Sequence, residues 1–471
     1  MTQTRPSRLL VMIWDGMRPD LVSPELTPNL AALAGAGVVF DANHAVVPTV
    51  TRINAATLAT GAPSSTHGLP ANSFFAPAVD ASGPISVGDG DNVAQLRAAY
   101  GVFGATTIAD VVKQAGGRTT IVSSGTRGSS WMLHPRRTDA GDVILHPTLS
   151  TTEELAPIVA RLGPMPADGA PNTALNAWLA RAAAEIILPE QRPDVLLFWH
   201  DDPDHSQHKF GFGHPLSLQS IQDADRHLGL LLASLDSAGL RDETLIVVAS
   251  DHGYVQITQR YDPSPALAAL AGDARVVLAA NGCSMLLRLE QPDDRALARL
   301  AAEVGKLPGT GVMFSGARGG AVVDGTYPLA AIRMDGPLAP DLLVSLNWSD
   351  DQNEHGHGGA SYGLGGTSLA GHGGASAWEI RNTLIMQGAG ILSGRRSNLP
   401  SGTIDLAPTV LTALGLPVPD SMTGRVLHEA LSASATDGVP TAVERWDERS
   451  AAGTLTWSRY AGHQYLDAAL R

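Results

Sequence analysis

Three aspartates of this chain stand just beyond short apolar runs, each with a glycine or histidine close by. Asp15 follows Leu9-Leu10-Val11-Met12-Ile13-Trp14. Asp251 follows Thr244–Ser250 and precedes His252 and Gly253. Asp204 lies past Asp194–Trp199 in Pro203-Asp204-His205-Ser206-Gln207-His208. In a doubly wound sheet, ligands gather beyond the carboxyl ends of strands. Carboxylate together with imidazole suits Zn²⁺ or Mn²⁺, whereas Ca²⁺ and Mg²⁺ rely on oxygen ligands. Two Asp/His pairs with a further Asp and His are enough for a two-metal centre, which stabilises both the attacking and the leaving oxygen in phosphoryl transfer. Each residue alone says little, because an Asp at a strand end is often a turn or a helix cap. The set carries the reading.

The elements that must position these residues read as α/β. Leu9–Trp14 is too short for a buried helix, ends in Asp-Gly, and reads as a buried parallel strand. Thr27-Pro28 opens a helix, and Thr107 with Asp110 forms a capping box for a helix through Gln114, stopped by Gly116-Gly117. The strand Thr119–Ser123 follows, then Asp194–Trp199 (strand), Leu218–Ala238 (amphipathic helix) and Thr244–Ala249 (strand). This alternation predicts a mostly parallel central sheet flanked by helices. Three stretches break the rhythm: Ala76–Tyr100, the irregular Arg127–Pro171, and Tyr254–Ser345 with a helix around Asp293–Val304. The expected organisation is a discontinuous core, 1–253 and 346–440, with an inserted cap-like subdomain over 254–345 and a tail over 441–471 docked on the core through its aromatic residues. Gly356–Gly374 reads as a flexible loop. A chain of 471 residues with 44% hydrophobic content can bury a large core and is not a disordered polymer. A net charge of −14 argues against binding a nucleic-acid polymer. Cys283 is alone, so no intrachain disulfide framework is expected. The apolar run at the N-terminus is too short for a signal peptide or a membrane span, which gives the expectation of a cytoplasmic protein with no membrane partner.

Ile13-Trp14-Asp15-Gly16-Met17-Arg18-Pro19-Asp20, Ser250-Asp251-His252-Gly253 and Pro203-Asp204…His208 resemble the alkaline phosphatase superfamily, most closely its nucleotide pyrophosphatase/phosphodiesterase branch. The resemblance covers roughly residues 8–75, 190–255 and 370–428, and Thr403–Val410 with Gly424-Arg425 is similar to the superfamily's structural C-terminal signature. It implies an alkaline phosphatase-like fold. It also implies that Asp204, His208 and His372 hold one divalent cation, and that Asp15, Thr51, Asp251 and His252 hold another, Zn²⁺ or else Mn²⁺. Thr51, in Pro48-Thr49-Val50-Thr51-Arg52-Ile53-Asn54, matches the branch's nucleophile, and Asn72 its phosphoryl-oxygen ligand; Thr49 competes with Thr51, which fits the register better. A metal and a helix N-terminus would both favour the Thr alkoxide. His372 directly precedes a helix and the strand Thr383–Met386; His355 and His357 are rivals for its place. The implied reaction is in-line attack by Thr51, giving a phosphothreonine that water then hydrolyses.

A sulfatase would need a modifiable Cys or Ser with Pro and Arg at fixed offsets, and neither Cys283 nor position 51 has them. The superfamily's phosphomutases carry their large insertion early, whereas this chain's main insertion comes late. The expected substrate is therefore a small phosphate diester or pyrophosphate, with a phosphonate as the alternative and isomerisation by a phosphomutase less favoured. Arg127 and Trp131 are placed at the pocket rim, Arg to bind an anion and Trp to stack on a base, with Phe210 beside His208 as a further contact.

Overall fold

In the strand Arg8–Trp14, Leu9–Trp14 form an unbroken apolar run, and both faces of that run are buried. Leu10, Met12 and Trp14 pack on one side with Ile221, Leu228 and Leu231 of the helix Pro215–Ser237. Leu9, Val11 and Ile13 pack on the other with Val112 of the helix Ile108–Gln114 and Val410 of the helix Leu406–Leu414. Truncating any of the buried leucines to alanine costs about 2–5 kcal/mol. The computed structural model describes residues 5–88, 90–101, 104–137, 141–270, 275–290, 293–316, 322–432 and 442–471.

Arg8–Trp14 lies inside an eight-stranded sheet. The order is Arg395–Ser397, Val38–Phe40, Leu384–Gly388, Thr244–Ala249, Arg8–Trp14, Val195–His200, Thr119–Ser123, Val143–Leu145. Leu384–Gly388 runs antiparallel to both its neighbours, and every other pairing in this sheet is parallel. The fold is thus α/β with a mostly parallel sheet and helices on both faces. The capping box expected at Thr107 is present, with the Asp110 N–H donating to Thr107 Oγ1 at 3.2 Å.

Two stretches expected to lack regular structure contain helices or strands. Arg127–Pro171 contains the helices Arg127–Met132 and Thr152–Leu162 and the edge strand Val143–Leu145; Pro157 inside the second helix masks its pattern. Gly356–Gly374 forms the strands Gly358–Leu364 and Ala370–Gly371. A Cβ on Gly358 or Gly359 would come within 2.9 or 2.8 Å of the Trp378 ring, so these glycines make room for an indole.

The expected insertion 254–345 supplies a five-stranded sheet that runs one residue past its boundary, in the order Val276–Asn281, Ser284–Leu289, Leu342–Leu346, Thr310–Ser315, Tyr327–Pro328, with the helix Asp294–Val304 packed on it. The first strand of this segment, Val255–Tyr261, pairs instead with Gly358–Leu364 and Ala370–Gly371, so backbone hydrogen bonding crosses position 345. The expected boundary at 440/441 lies outside the described residues. The tail is a three-stranded sheet, Glu444–Ser450, Gly453–Tyr460 and His463–Leu470. Its Leu455, Trp457 and Leu466 share an apolar cluster with Phe314, Leu343, Val50 and Ile53. The Tyr465 hydroxyl donates to Asp405 Oδ2 at 2.7 Å, and Asp405 Oδ1 accepts the Arg425 N–H at 2.8 Å, so one buried carboxylate joins the tail to the C-terminal signature. Among the described residues, no helix is long and apolar enough to cross a membrane.

Candidate active site

The parallel register brings the three strand-end aspartates together. Trp14 pairs with His200 and Ile13 with Ala249, so the chain leaves three adjacent strands at one level. The loops are then clipped to one another: the Asp15 N–H donates to His200 O at 3.0 Å and the Asp204 N–H to Asp15 O at 3.0 Å. His252 is anchored through Gly253, whose N–H donates to Glu379 O at 2.8 Å. A Cβ at Gly253 would lie 2.1 Å from Trp378 O, so only glycine permits that approach.

Two donor groups result. Asp204 Oδ1 is 3.2 Å from His208 Nε2 and 3.2 Å from His372 Nε2, and the two Nε2 atoms are 3.3 Å apart. His252 Nε2 is 3.3 Å from Asp15 Oδ1, 3.2 Å from Asp251 Oδ2 and 3.4 Å from Thr51 Oγ1. A tetrahedral cation with ligands at about 2.0–2.1 Å sets its donor atoms about 3.3 Å apart. Asp15 Oδ1, Asp204 Oδ1 and Asp251 Oδ2 are buried acceptors with no hydrogen-bond partner. The other oxygens of Asp15 and Asp251 are engaged: Trp199 Nε1 donates to Asp15 Oδ2 at 3.0 Å and the Gly16 N–H to Asp251 Oδ1 at 3.1 Å. The three imidazoles are oriented alike. Nδ1 of His208, His252 and His372 meets the carbonyl of Ala370 (2.9 Å), Gly253 (3.0 Å) and Thr49 (2.8 Å), which leaves each Nε2 lone pair for a cation. These residues fit a pair of divalent cations.

The electrostatics agree with that use. Burial, with Asp251 and Asp204 adding to it, raises the Asp15 carboxyl well above its usual range, and burial raises Asp251 to about 7. Burial also opposes ionisation of Asp204, but His208 and then His372 hold its carboxyl well below that range. Burial pushes His252 and His372 down to about 4, the neutral form that coordinates metals. At His208 burial opposes protonation, but Asp204 outweighs it and the pKa rises. Three carboxylates this close are tolerable as anions only beside cationic charge.

Thr51 is the first residue of the buried helix Thr51–Thr60, whose N-cap, Val50, has no side chain able to cap it. The rival, Thr49, has its hydroxyl engaged twice, donating to Gly374 O at 2.8 Å and accepting the Gly373 N–H at 3.0 Å. Thr49 therefore braces the His372 loop. Asn72 Oδ1 accepts the Arg52 N–H at 2.8 Å, so its NH₂ is the group it can offer to a phosphoryl oxygen. The hairpin Val276–Leu289 buttresses both loops through its tip: Asn281 accepts the Ser73 N–H at 3.0 Å, and the Cys283 N–H donates to His372 O at 2.9 Å.

Thr51, Asn72, Asp15, Asp204, His208 and His372 line one cleft of about 710 Å³. Arg127 lines it too. Trp131 does not; it packs against the apolar cluster around Val50 and Ile53. Phe210 is also outside the cleft lining, stacked on His214 with ring centroids 5.7 Å apart. His355 and His357 pack against His214 and Phe212, and neither joins the donor groups. Sequence reasoning gives Arg52 no role, because adjacency to Thr51 does not fix its direction on the helix, and it missed Ser124, Asp201 and His205; all four are in the lining. Asp201, with Asp168 and His205, makes a third acidic group, but its oxygens already accept from Ser124 Oγ (2.8 Å), Asn176 Nδ2 (2.9 Å) and Asn172 Nδ2 (2.7 Å). The Asp201 hydrogen bond raises His205 to about 9. The one available signal was Asp201-Asp202 directly after an apolar run.

The likeness to known proteins is consistent with this geometry. Venom phosphodiesterase of Macrovipera lebetinus is 25% identical over 258 residues, which cover 54% of this chain and 26% of that protein. Bis(5'-adenosyl)-triphosphatase ENPP4 of Bos taurus is 22% identical over 255 residues, 54% of this chain and 49% of that protein. The chain thus spans about a quarter to a half of the length of the curated relatives it matches. Among solved structures, murine ectonucleotide pyrophosphatase/phosphodiesterase 5 aligns with a TM-score of 0.61 at 18% identity, covering 88% of this chain and 96% of that one. An inactive variant of it in complex with AMP aligns equally well, and both share the fold. A family model described as type I phosphodiesterase / nucleotide pyrophosphatase matches residues 9–349, and the chain belongs to that family.

Proposed function

We propose that this chain hydrolyses small phosphate diesters or pyrophosphates at a two-cation centre, with Thr51 as nucleophile. The observation that carries the reading is the gathering of three partnerless buried carboxylate oxygens and three Nε2 atoms into two donor groups, one of which comes within 3.4 Å of the Thr51 hydroxyl through His252. Asp204, His208 and His372 would hold one cation; Asp15, Asp251, His252 and Thr51 would hold the other. Zn²⁺ suits this donor set best and Mn²⁺ is the alternative. Bound cations supply charge neutralisation at the phosphoryl oxygens and lower the pKa of a hydroxyl beside them.

Thr51 Oγ gives up its proton to solvent as it forms the bond to phosphorus, and the opposite ester or anhydride oxygen leaves with its electron pair. The product on the enzyme is a threonine phosphoester, which retains the second ester group when the substrate is a diester. Water then cleaves it and restores the hydroxyl. The helix N-terminus at Thr51 favours negative charge on Oγ, and the Asn72 NH₂ holds a non-bridging oxygen. A phosphonate is the second reading: the same attack breaks the C–P bond, and the carbanion leaves by taking a proton. The observation that favours it is Arg127 at the cleft wall, a cation for the carboxylate of such a substrate.

The test is turnover of bis-p-nitrophenyl phosphate, p-nitrophenyl phosphate and phosphonoacetate by zinc- and manganese-reconstituted protein, with Thr51→Ala as control. Diester turnover lost in the variant supports the reading. Turnover of phosphonoacetate alone moves the assignment to C–P cleavage, and activity surviving in Thr51→Ala overturns the nucleophile.

A further inference from the structure

The cleft that holds Thr51 is far larger than a phosphoryl group needs, and its wall has a definite chemistry. Among its described lining residues there is no Phe, Tyr or Trp; the rings it presents are the imidazoles of His146, His205, His208 and His372, the last two of them in the cation-holding groups. Two arginines line it too. Arg52 follows Thr51 in the first turn of the same helix, and its side chain reaches towards Thr126 and Gly88. Nε donates to Thr126 Oγ1 at 3.3 Å, and its Nη2 lies over Gly88, where a Cβ would come within 3.2 Å. Arg127 opens the next helix directly after Thr126, the residue that caps that helix and receives Arg52. Gly128 packs so tightly on the Val87–Gly88 backbone that a Cβ would lie 1.7 Å from Val87 O. The loop 86–88, the nucleophile helix and the helix Arg127–Met132 are therefore locked together, and both arginines line the cleft along with Ser124, Thr126 and Thr148 and with the carboxylates of Asp15, Asp168, Asp201 and Asp204.

We infer that Arg52 and Arg127 form an anion subsite next to the nucleophile, so that the preferred substrates are compact and non-nucleosidic and carry a second negative group, a carboxylate or a phosphate, beside the scissile phosphorus. The inference rests on the hydrolase reading and adds the substrate class to it. A planar guanidinium matches a carboxylate or phosphate bidentately, and two of them at a partly desolvated wall discriminate strongly against a group that brings no charge. The subsite is local: it lies in a chain whose net charge is −14, so long-range attraction does not account for anion binding.

The experiment compares the whole, cation-loaded protein with Arg52→Met and Arg127→Met, each checked for wild-type cation content. The substrates are phosphonoacetate for the carboxylate arm, inorganic pyrophosphate for the phosphate arm, and the p-nitrophenyl ester of thymidine 5′-phosphate for a nucleoside. Binding of methylenediphosphonate, which is not hydrolysed, is measured by calorimetry alongside. The expected result is a higher kcat/KM for one of the dianionic substrates than for the thymidine ester, and a fall in that ratio of about tenfold or more in each variant. The arm that responds identifies the anion. A preference for the thymidine ester, or a ratio unchanged in both variants, overturns the inference. If no substrate turns over, the hydrolase reading fails separately. In that case weaker methylenediphosphonate binding in the variants sustains the subsite, and equal binding removes it.

Discussion

Replacing Thr49 by valine separates bracing from catalysis at the two threonines that precede and open the nucleophile helix. Valine keeps the shape of threonine but removes a hydroxyl that donates to Gly374 O at 2.8 Å and accepts the Gly373 N–H at 3.0 Å. Both backbone groups are buried, and each left unpaired costs about 1–3 kcal/mol. The Thr49 carbonyl stays to accept from His372 Nδ1, but the loop that carries His372 loses two of the bonds that fix it, keeping among others the Cys283 N–H on His372 O. Loss of such support around a metal ligand typically lowers cation affinity about 10- to 100-fold. The assay is competition for zinc against a chromophoric chelator, paired with turnover at saturating cation. The expected outcome is weaker binding of one of two cations, with turnover recovering to within about tenfold of wild type once the site is filled. A fall in turnover of about 10⁴ or more with wild-type cation affinity would refute the reasoning, because it would mark Thr49 as a group in the chemistry.

Asn72→Ala should lower kcat by about 10²–10³, the usual effect of removing one oxyanion donor, while cation content stays at two per chain; wild-type kcat contradicts the role. His67 is fully buried, with Nδ1 accepting the Leu69 N–H at 3.2 Å, and burial depresses its pKa to about 3. Because the unfolded chain binds the proton first, its contribution is complete above about pH 6.5 and is lost as pH falls towards 3, at most about 5 kcal/mol. His67→Gln should accordingly flatten the acid limb of a stability-against-pH curve from urea melts, and superimposable limbs would sink the assignment. Tyr465→Phe removes the hydroxyl that holds the buried Asp405 and should cost about 1–3 kcal/mol, read as lower guanidinium resistance and earlier proteolysis of the C-terminal strands.

The core of the fold was legible because its strands are buried on both faces and therefore read as continuous apolar runs. Thr244–Ala249 is such a run, with Asp251 just beyond it, whereas Thr119–Ser123, with three hydroxyl residues and no site aspartate behind it, shows in the sequence through its place after Gly116-Gly117. What the sequence hid has local causes. Gly358 and Gly359 looked like flexibility but make room for Trp378, a contact 19 residues or more away in sequence. Pro157 concealed a helix that tolerates it. Trp131 and Phe210 are near site residues in sequence, but in space they face an apolar cluster and His214, because helix direction is set by tertiary packing. Arg52 needed Thr126 and Gly88, 74 and 36 residues distant, to fix its guanidinium on the cleft.

The central claim is that Thr51 itself attacks phosphorus between two cations. Its most direct test is acid quenching during turnover of bis-p-nitrophenyl phosphate, followed by mass spectrometry of the peptide carrying residue 51 and metal analysis of the same sample. The account predicts two divalent cations per chain and a p-nitrophenylphosphoryl ester on Thr51, absent from Thr51→Ala. Turnover with full cation content and a covalent adduct on another residue, or an unmodified Thr51 under conditions where the adduct should accumulate, would contradict it.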